Sequence, residues 1–409
     1  MIDILLAFFI VAGIIIIGFL GNILFKKTGW PELLFLIVIG VIVGPVLNIF
    51  SKQDFLSVLP VISTLTLVMI LFRGGMELNL FKVVSGSLRS LFQATAYFAI
   101  GMVGIAAFVH FIMGWALIDS FMLGSIIAQT GEVVLIPMAK RLGVQPESAT
   151  LITLEAIITS IFNIVFFFAF LTARLGGEMS FSGTLGLIFA NFSIGLVIGA
   201  ALGVLWLRVL SLLGKEEFTY IVTLGYVLIS YVASEMAGGS GALTVLAIGI
   251  VLGNDKEVFR ILRMGTPPTI FSEIKTYLNR FQGEIAFVLR TFFFVLLGLM
   301  YEVSQSSLLA GLSYGLPIIG ILLVIRYGVV SISTWRSPMA ADKKIITGMC
   351  ALGLTPALLS FIPLQYNLPN AALYTLIVTN IIIITNIITS IAAMKGKRNH
   401  AKTVTPKTI

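Results

Sequence analysis

The sequence predicts an all-α polytopic membrane protein with thirteen transmembrane helices, and three observations lead there. Hydrophobic residues make up 58% of the 409 and charged residues only 11%, with a mean hydropathy of +1.08; a soluble domain is near half apolar and a quarter charged. The apolar residues fall into runs of about 20, the length that crosses a bilayer. The basic residues fall almost wholly into alternate connecting segments, as orientation by positive charge requires.

In chain order the runs are 4–25, 30–49, 56–80, 91–113, 118–140, 148–172, 184–212, 218–236, 239–253, 283–303, 308–334, 344–364 and 369–394. The ninth is short and rich in glycine. The chain begins Met1-Ile2-Asp3, with neither a basic segment nor a small-residue cleavage site, so its first run reads as a retained span and not as a signal peptide. With the N-terminus outside and the C-terminus in the cytoplasm, the first loop and every second one after it are cytoplasmic. Those segments hold 21 of the 26 Lys and Arg. The opposite side holds Lys52 and Arg174, while Arg73, Arg290 and Arg326 lie within spans. The net charge of +8 is thus accounted for by orientation in an inner membrane; lipid is the expected partner, and nucleic acid is not.

One cysteine, Cys350, excludes an internal disulfide. Residues 254–282 alternate apolar with basic residues and are expected to form an amphipathic helix on the cytoplasmic face. Residues 1–394 are expected to make the membrane domain, and 395–409 a short basic tail, disordered and near anionic lipid, with no room expected for a soluble regulatory domain.

Charge at membrane depth is costly and marks either pairing or function. The deep set is Arg73, Glu77, Glu132, Glu155, Arg290 and Arg326. Arg73 and Glu77 are four apart on one helical face and should pair locally. Glu155 and Arg290 have no partner on their own helices, and each is expected to satisfy the other across the bundle. Arg326 is expected to snorkel. Asp119, Glu235, Glu284 and Glu302 lie near span ends and are expected to be solvated.

Span five carries Ala128-Gln129-Thr130-Gly131-Glu132, followed by Pro137; span twelve carries Leu352-Gly353-Leu354-Thr355-Pro356. Glycine loosens a helix and proline removes a backbone donor. Gly131, Pro137, Gly353 and Pro356 are therefore the expected helix breaks. Two interrupted segments at corresponding places in two chain halves are the sequence mark of a transporter site. The halves are spans 1–6 and 8–13, related by inverted topology.

These residues resemble a family. Gly124-Ser-Ile-Ile-Ala-Gln-Thr130-Gly-Glu-Val-Val with Lys140-Arg141-Leu142-Gly143, Phe72-Arg-Gly-Gly-Met-Glu-Leu78, Leu154-Glu155-Ala-Ile-Ile-Thr159-Ser160 and Arg290-Thr-Phe-Phe-Phe-Val-Leu-Leu-Gly298 together resemble the membrane domain of monovalent cation:proton antiporters. The resemblance implies alternating access between a core of spans 3–6 and 10–13 and a scaffold of spans 1–2 and 7–9. It also implies a homodimer, a structural ion pair at Glu155 and Arg290, and no cofactor or metal beyond the transported cation and H⁺. The departures fall at the chemistry. Where the family reads Thr-Asp-Pro, this chain reads Thr130-Gly131-Glu132; where the family has Asn-Asp, it has Thr159-Ser160.

A carboxylate couples two ions because it holds either a proton or a cation, and burial moves its proton affinity toward the working range. Glu132 is the expected substitute, with Thr130, Thr159, Ser160 and the carbonyls at Gly131 as oxygen ligands. Two other readings stand open: exchange at Glu155 in competition with Arg290, and carriage of another solute, including an organic anion held by Arg290 or Arg73. A relative that has lost coupling and acts as a sensor or structural partner is the alternative from a different class. An enzyme is not expected: the chain has no Gly-Lys-Ser/Thr phosphate loop, no His-Glu-x-x-His, and only His110 and His400.

Overall fold

The computed structural model describes residues 4–28, 30–47, 49, 59–78, 88–139, 144–176, 181–213, 218–263, 270–301 and 304–404. Its helices are α1 Ile4–Thr28, α2 Glu32–Val41 with a π-helical turn Ile42–Val46, α3 Leu59–Glu77, α4 Leu88–Phe111, α5 Leu117–Ile127 and α6 Glu132–Ala139. There follow α7 Pro146–Leu175, α8 Phe181–Leu213, α9 Thr219–Met236, α10 Gly241–Gly253, α11 Asp255–Ile261 and α12 Ile270–Leu299. The chain continues with α13 Gln305–Ser333, a 3₁₀ turn Pro338–Asp342, α14 Lys343–Gly348, α15 Leu354–Gln365 and α16 Ala371–Val404. The described residues contain no strand. Helices satisfy their backbone internally, which is what a lipid environment demands.

Among the described residues, nine helices are long and apolar enough to cross a membrane, with α5 and α6 taken together. Four shorter apolar helices, Ala12–Phe25, Glu32–Val46, Gly241–Gly253 and Leu354–Gln365, lie on four further expected runs. Spans five and twelve are both interrupted, as the glycines suggested.

Two compact units are distinguished. The first comprises residues 1–61, 87–164 and 290–409. In it α4 packs on α5 and α13, α5 meets α15 and α16, and α14 and α15 lie along α16. Gly40 of α2 faces Gly298 of α12 so closely that a Cβ on Gly40 would stand 2.9 Å from the Gly298 Cα. The second unit comprises residues 62–86 and 165–289, built on α8 against α9 and α10. There the Trp206 ring stacks on Tyr226 with centroids 4.1 Å apart, and its indole N–H donates to the Thr223 hydroxyl at 3.0 Å. Asn254 donates to the Leu78 carbonyl at 2.8 Å, tying α10 to the end of α3.

Several expectations are corrected. Residues 254–282 are not one surface helix: α11 is short, and α12 runs unbroken from Ile270 to Leu299, a stretch with no proline to stop it. The tail is helical as far as Val404 because α16 also meets no proline before Pro406. Asp119 is buried, 2% exposed. It lies in the first turn of α5, where a negative charge is favoured, and its carbonyl accepts from the Tyr374 hydroxyl at 2.7 Å. Glu235 and Glu284 are exposed residues, and the Glu235 carboxylate accepts from the Gly241 N–H at 2.7 Å. Glu302, Lys52, Lys82, Lys215 and the Lys140–Gly143 part of the motif lie outside the described residues.

Candidate ion site at the helix crossing

The chain leaves helical geometry at Ala128 and resumes it at Glu132. It leaves again after Gly348 and resumes at Leu354. The two breaks meet backbone to backbone. The Gly131 N–H donates to the Ala351 carbonyl at 2.7 Å, and a Cβ on Gly131 would lie 2.5 Å from the Gly353 nitrogen and 2.8 Å from its Cα. Only glycine permits that approach.

The prolines do not make the breaks. Pro137 lies inside α6, downstream of the interruption. Pro356 is the third residue of α15, where a backbone donor has no intrahelical partner to lose. Of the four expected break residues, Gly131 and Gly353 stand at the crossing and the two prolines stand within the helices that follow.

Unwound backbone buried in a membrane protein must find partners elsewhere, and α7 and α16 supply them. The Thr130 N–H donates to the Thr159 hydroxyl at 3.2 Å, and that hydroxyl donates to the Glu155 carbonyl at 2.8 Å. Asn163 donates to the Ile126 carbonyl at 2.9 Å. At the other break, the Leu352 and Cys350 N–H groups donate to the hydroxyls of Thr385 and Thr389 at 3.2 and 3.1 Å. Asn386 donates to the Leu352 carbonyl at 2.9 Å. None of these asparagines was singled out from sequence, because an amide among apolar residues gives no local sign of which carbonyl it serves.

Glu132 is the first residue of α6, where the helix dipole favours a carboxylate. It is half-buried, whereas Gln129, Thr130, Thr159 and Ser160 are buried. The Ser160 hydroxyl makes a short hydrogen bond with Glu132 Oε2 and also lies 2.8 Å from Gln129 Oε1. Thr130 and Thr159 bring their hydroxyl oxygens to 3.4 Å. Glu132, Thr130, Gly131, Thr159 and Ser160 are therefore assembled in one place.

Glu155 and Arg290 are not paired with each other. Glu155 is bound on both oxygens by Arg326, whose Nη1 meets Oε1 and whose Nη2 stands 3.2 Å from Oε2. Gln93 donates to the same Oε2 at 2.5 Å, and Gln93 in turn accepts from Ser333 at 2.5 Å. Arg326 is 1% exposed, so it does not snorkel. Its guanidinium donates to the carbonyls of Thr347 at 3.0 Å, Ile346 at 3.1 Å and Met349 at 2.7 Å and lies over the Tyr97 ring at 4.9 Å. A guanidinium carries five donors in a fork, and the carbonyls left over where α14 ends supply acceptors that an unbroken helix would not offer. Arg290 pairs with Glu32, at the start of α2, a residue the sequence reading passed over. Arg73 and Glu77 pair locally at 2.8 Å, exposed.

A cavity of about 230 Å³ runs from the Glu32–Arg290 pair to Val133, Pro137, Gly353 and Leu354, beside the crossing. Among the described residues no group of three or more His, Cys, Asp or Glu has the arrangement to hold a resident metal.

Residues 11–394 match the family described as sodium/hydrogen exchanger, transmembrane, and the chain belongs to that family. It is 26% identical over 359 residues to a K(+)/H(+) antiporter NhaP2 of Shewanella sp. (strain ANA-3), covering 85% of this chain and 59% of that protein. It is 24% identical to sodium/hydrogen exchanger 7 of Arabidopsis thaliana, over 70% of this chain and 25% of that one. The chain thus spans less than two thirds of the length of either relative. In fold it matches the sodium proton antiporter MjNhaP1 of Methanocaldococcus jannaschii, with a TM-score of 0.76 and 19% identity over 95% of this chain and 100% of that one.

Proposed function

We propose that this member of the sodium/hydrogen exchanger family is a secondary antiporter exchanging a monovalent cation, Na⁺ or K⁺, for protons by alternating access. The observation that carries the reading is Glu132: a half-buried carboxylate at the start of a half-helix, held by Ser160 beside the crossing of two broken helices. A carboxylate so placed carries a proton or faces a cation, and not both, which is the minimal chemistry of exchange. The half-helices α6 and α15 turn their N-terminal ends toward the crossing and α5 and α14 their C-terminal ends, so a cation meets balanced dipoles there. The relatives' names support antiport of this class.

Thr130, Gly131 and Ser160 surround the exchange, and Thr159 braces the break. Both oxygens of Glu155 are engaged by Arg326 and Gln93, which favours a structural role for it over exchange. The arginines Arg73, Arg290 and Arg326 each have a carboxylate partner, which favours a cation over an organic anion as cargo. The core of spans 3–6 and 10–13 moves against a scaffold of spans 1–2 and 7–9 in a homodimer in the cell membrane, N-terminus outside. In that orientation the cavity beside Pro31 and Pro137 lies in the cytoplasmic half and is the route to Glu132.

The test is exchange in proteoliposomes: a pH gradient is imposed, Na⁺, K⁺ or Li⁺ is added, and wild type is compared with Glu132→Gln and Glu155→Gln. Cation-driven proton movement that Glu132→Gln abolishes in a folded protein is expected. Movement with none of the three cations in wild type would remove the reading.

A further inference from the structure

Three side-chain oxygens converge beside the crossing: Gln129 Oε1, Ser160 Oγ and Glu132 Oε2, with the serine oxygen in the middle. Both outer atoms are acceptors, and the serine has a single proton to offer. With the amide oxygen turned to Ser160, one hydroxyl faces two acceptors and one contact is left without a hydrogen, a mismatch that a positive species relieves.

Two species resolve it. A proton on Glu132 turns the cluster into a head-to-tail chain, in which the carboxyl O–H donates to Ser160 and the Ser160 O–H donates to Gln129. A monovalent cation resolves it as well, because a small cation replaces its hydration shell with hard oxygens of this kind. The two loads compete for the same three atoms, and neither needs a second acid.

Gln129 is the unexplained member. It lies in the unwound stretch, where its N–H turns back to the Ile127 carbonyl at 2.8 Å, and its side chain is 0% exposed. Its Nε2 has no hydrogen-bond partner among the described residues. A buried amide with one end unsatisfied is a poor choice for packing alone, since an apolar side chain of the same length avoids the lost hydration. Its oxygen end is the part that is used, and it is used at Ser160.

We propose that Gln129 is a ligand of the transported cation, its amide oxygen completing a three-oxygen set with Ser160 and Glu132. This rests on the antiport reading and deepens it. Gln129 then helps to set which monovalent cation fits, because one of three ligand positions is a neutral carbonyl on a two-carbon tether.

The test is isothermal titration calorimetry of the purified full chain in detergent with Li⁺, Na⁺ or K⁺, choline serving as the ionic-strength control, alongside proteoliposome exchange. Gln129→Met keeps the length and removes the oxygen; Gln129→Glu restores an oxygen at the same reach. The expected result is a roughly tenfold weaker affinity in Gln129→Met for the ion wild type prefers and an altered order among the three ions. Gln129→Glu is expected to regain the affinity. Unchanged affinity and order in Gln129→Met, or a Gln129→Glu no better than Gln129→Met, would overturn the proposal and leave the antiport reading standing. A wild type that binds none of the three ions would overturn both.

Discussion

Consider Glu155→Gln, which removes one charge from the most deeply buried ion pair of the first unit. Both side chains of the Glu155–Arg326 pair are 1% exposed, so solvent cannot compensate the cation left behind. Breaking one partner of a buried pair costs about 3–5 kcal/mol, mostly for the stranded charge. Here Arg326 keeps its bonds to the Thr347, Ile346 and Met349 carbonyls, which places the loss near the lower end, about 3 kcal/mol. Arg326→Met should cost more, because it strands the Glu155 carboxylate and also orphans those carbonyls at about 1 kcal/mol each. The double variant should recover part of the loss of Arg326→Met, since no buried charge remains. The assay is thermal unfolding of detergent-purified protein followed by fluorescence-detected size exclusion. Glu155→Gln should lower the apparent Tm by roughly 3–4 °C, and Arg326→Met by more. A Glu155→Gln protein that melts with wild type, or an Arg326→Met protein more stable than Glu155→Gln, would refute the reasoning.

Other perturbations separate further contacts. Gly131→Ala forces a methyl to 2.5 Å from the Gly353 nitrogen, whereas the nearest atom to a methyl in Gly353→Ala is 3.2 Å away; the first should lose exchange and Tm and the second less, as read by proteoliposome assay and melting. Glu32→Gln breaks a pair in which Arg290 is 18% and Glu32 12% exposed, so stability should fall by about 1–2 kcal/mol once solvent screening is counted, and Tm by less than in Glu155→Gln. Arg73→Ala removes an exposed i,i+4 pair, 40% and 53% exposed, and should change stability by under about 0.5 kcal/mol. Gly40→Ala crowds the Gly298 backbone and should cost about 1–3 kcal/mol through overpacking, measured as a Tm loss that Gly298→Ala reproduces.

What the sequence by itself determined is what depends on near neighbours along the chain. Hydropathy is summed over about 20 consecutive residues, so the spans could be read directly. Glycine acts on its own backbone, so Gly131 and Gly353 marked the two interruptions, and Arg73 and Glu77 met because a helix repeats every 3.6 residues. Proline misled, because its effect depends on where the helix starts: Pro356 lies in a first turn that needs no donor. Only the tertiary structure decided the partners. Glu155 and Arg326 are 171 residues apart in sequence, and nothing local distinguishes Arg326 from Arg290 as the match. The choice is made by the carbonyls that α14 leaves unpaired when it ends at the crossing, since a guanidinium can serve a carboxylate and a broken helix end at once. The same crossing gathers Gln129 from the unwound stretch, Glu132 from α6 and Ser160 from α7, and a chain read in one dimension has no means of placing three oxygens around one point.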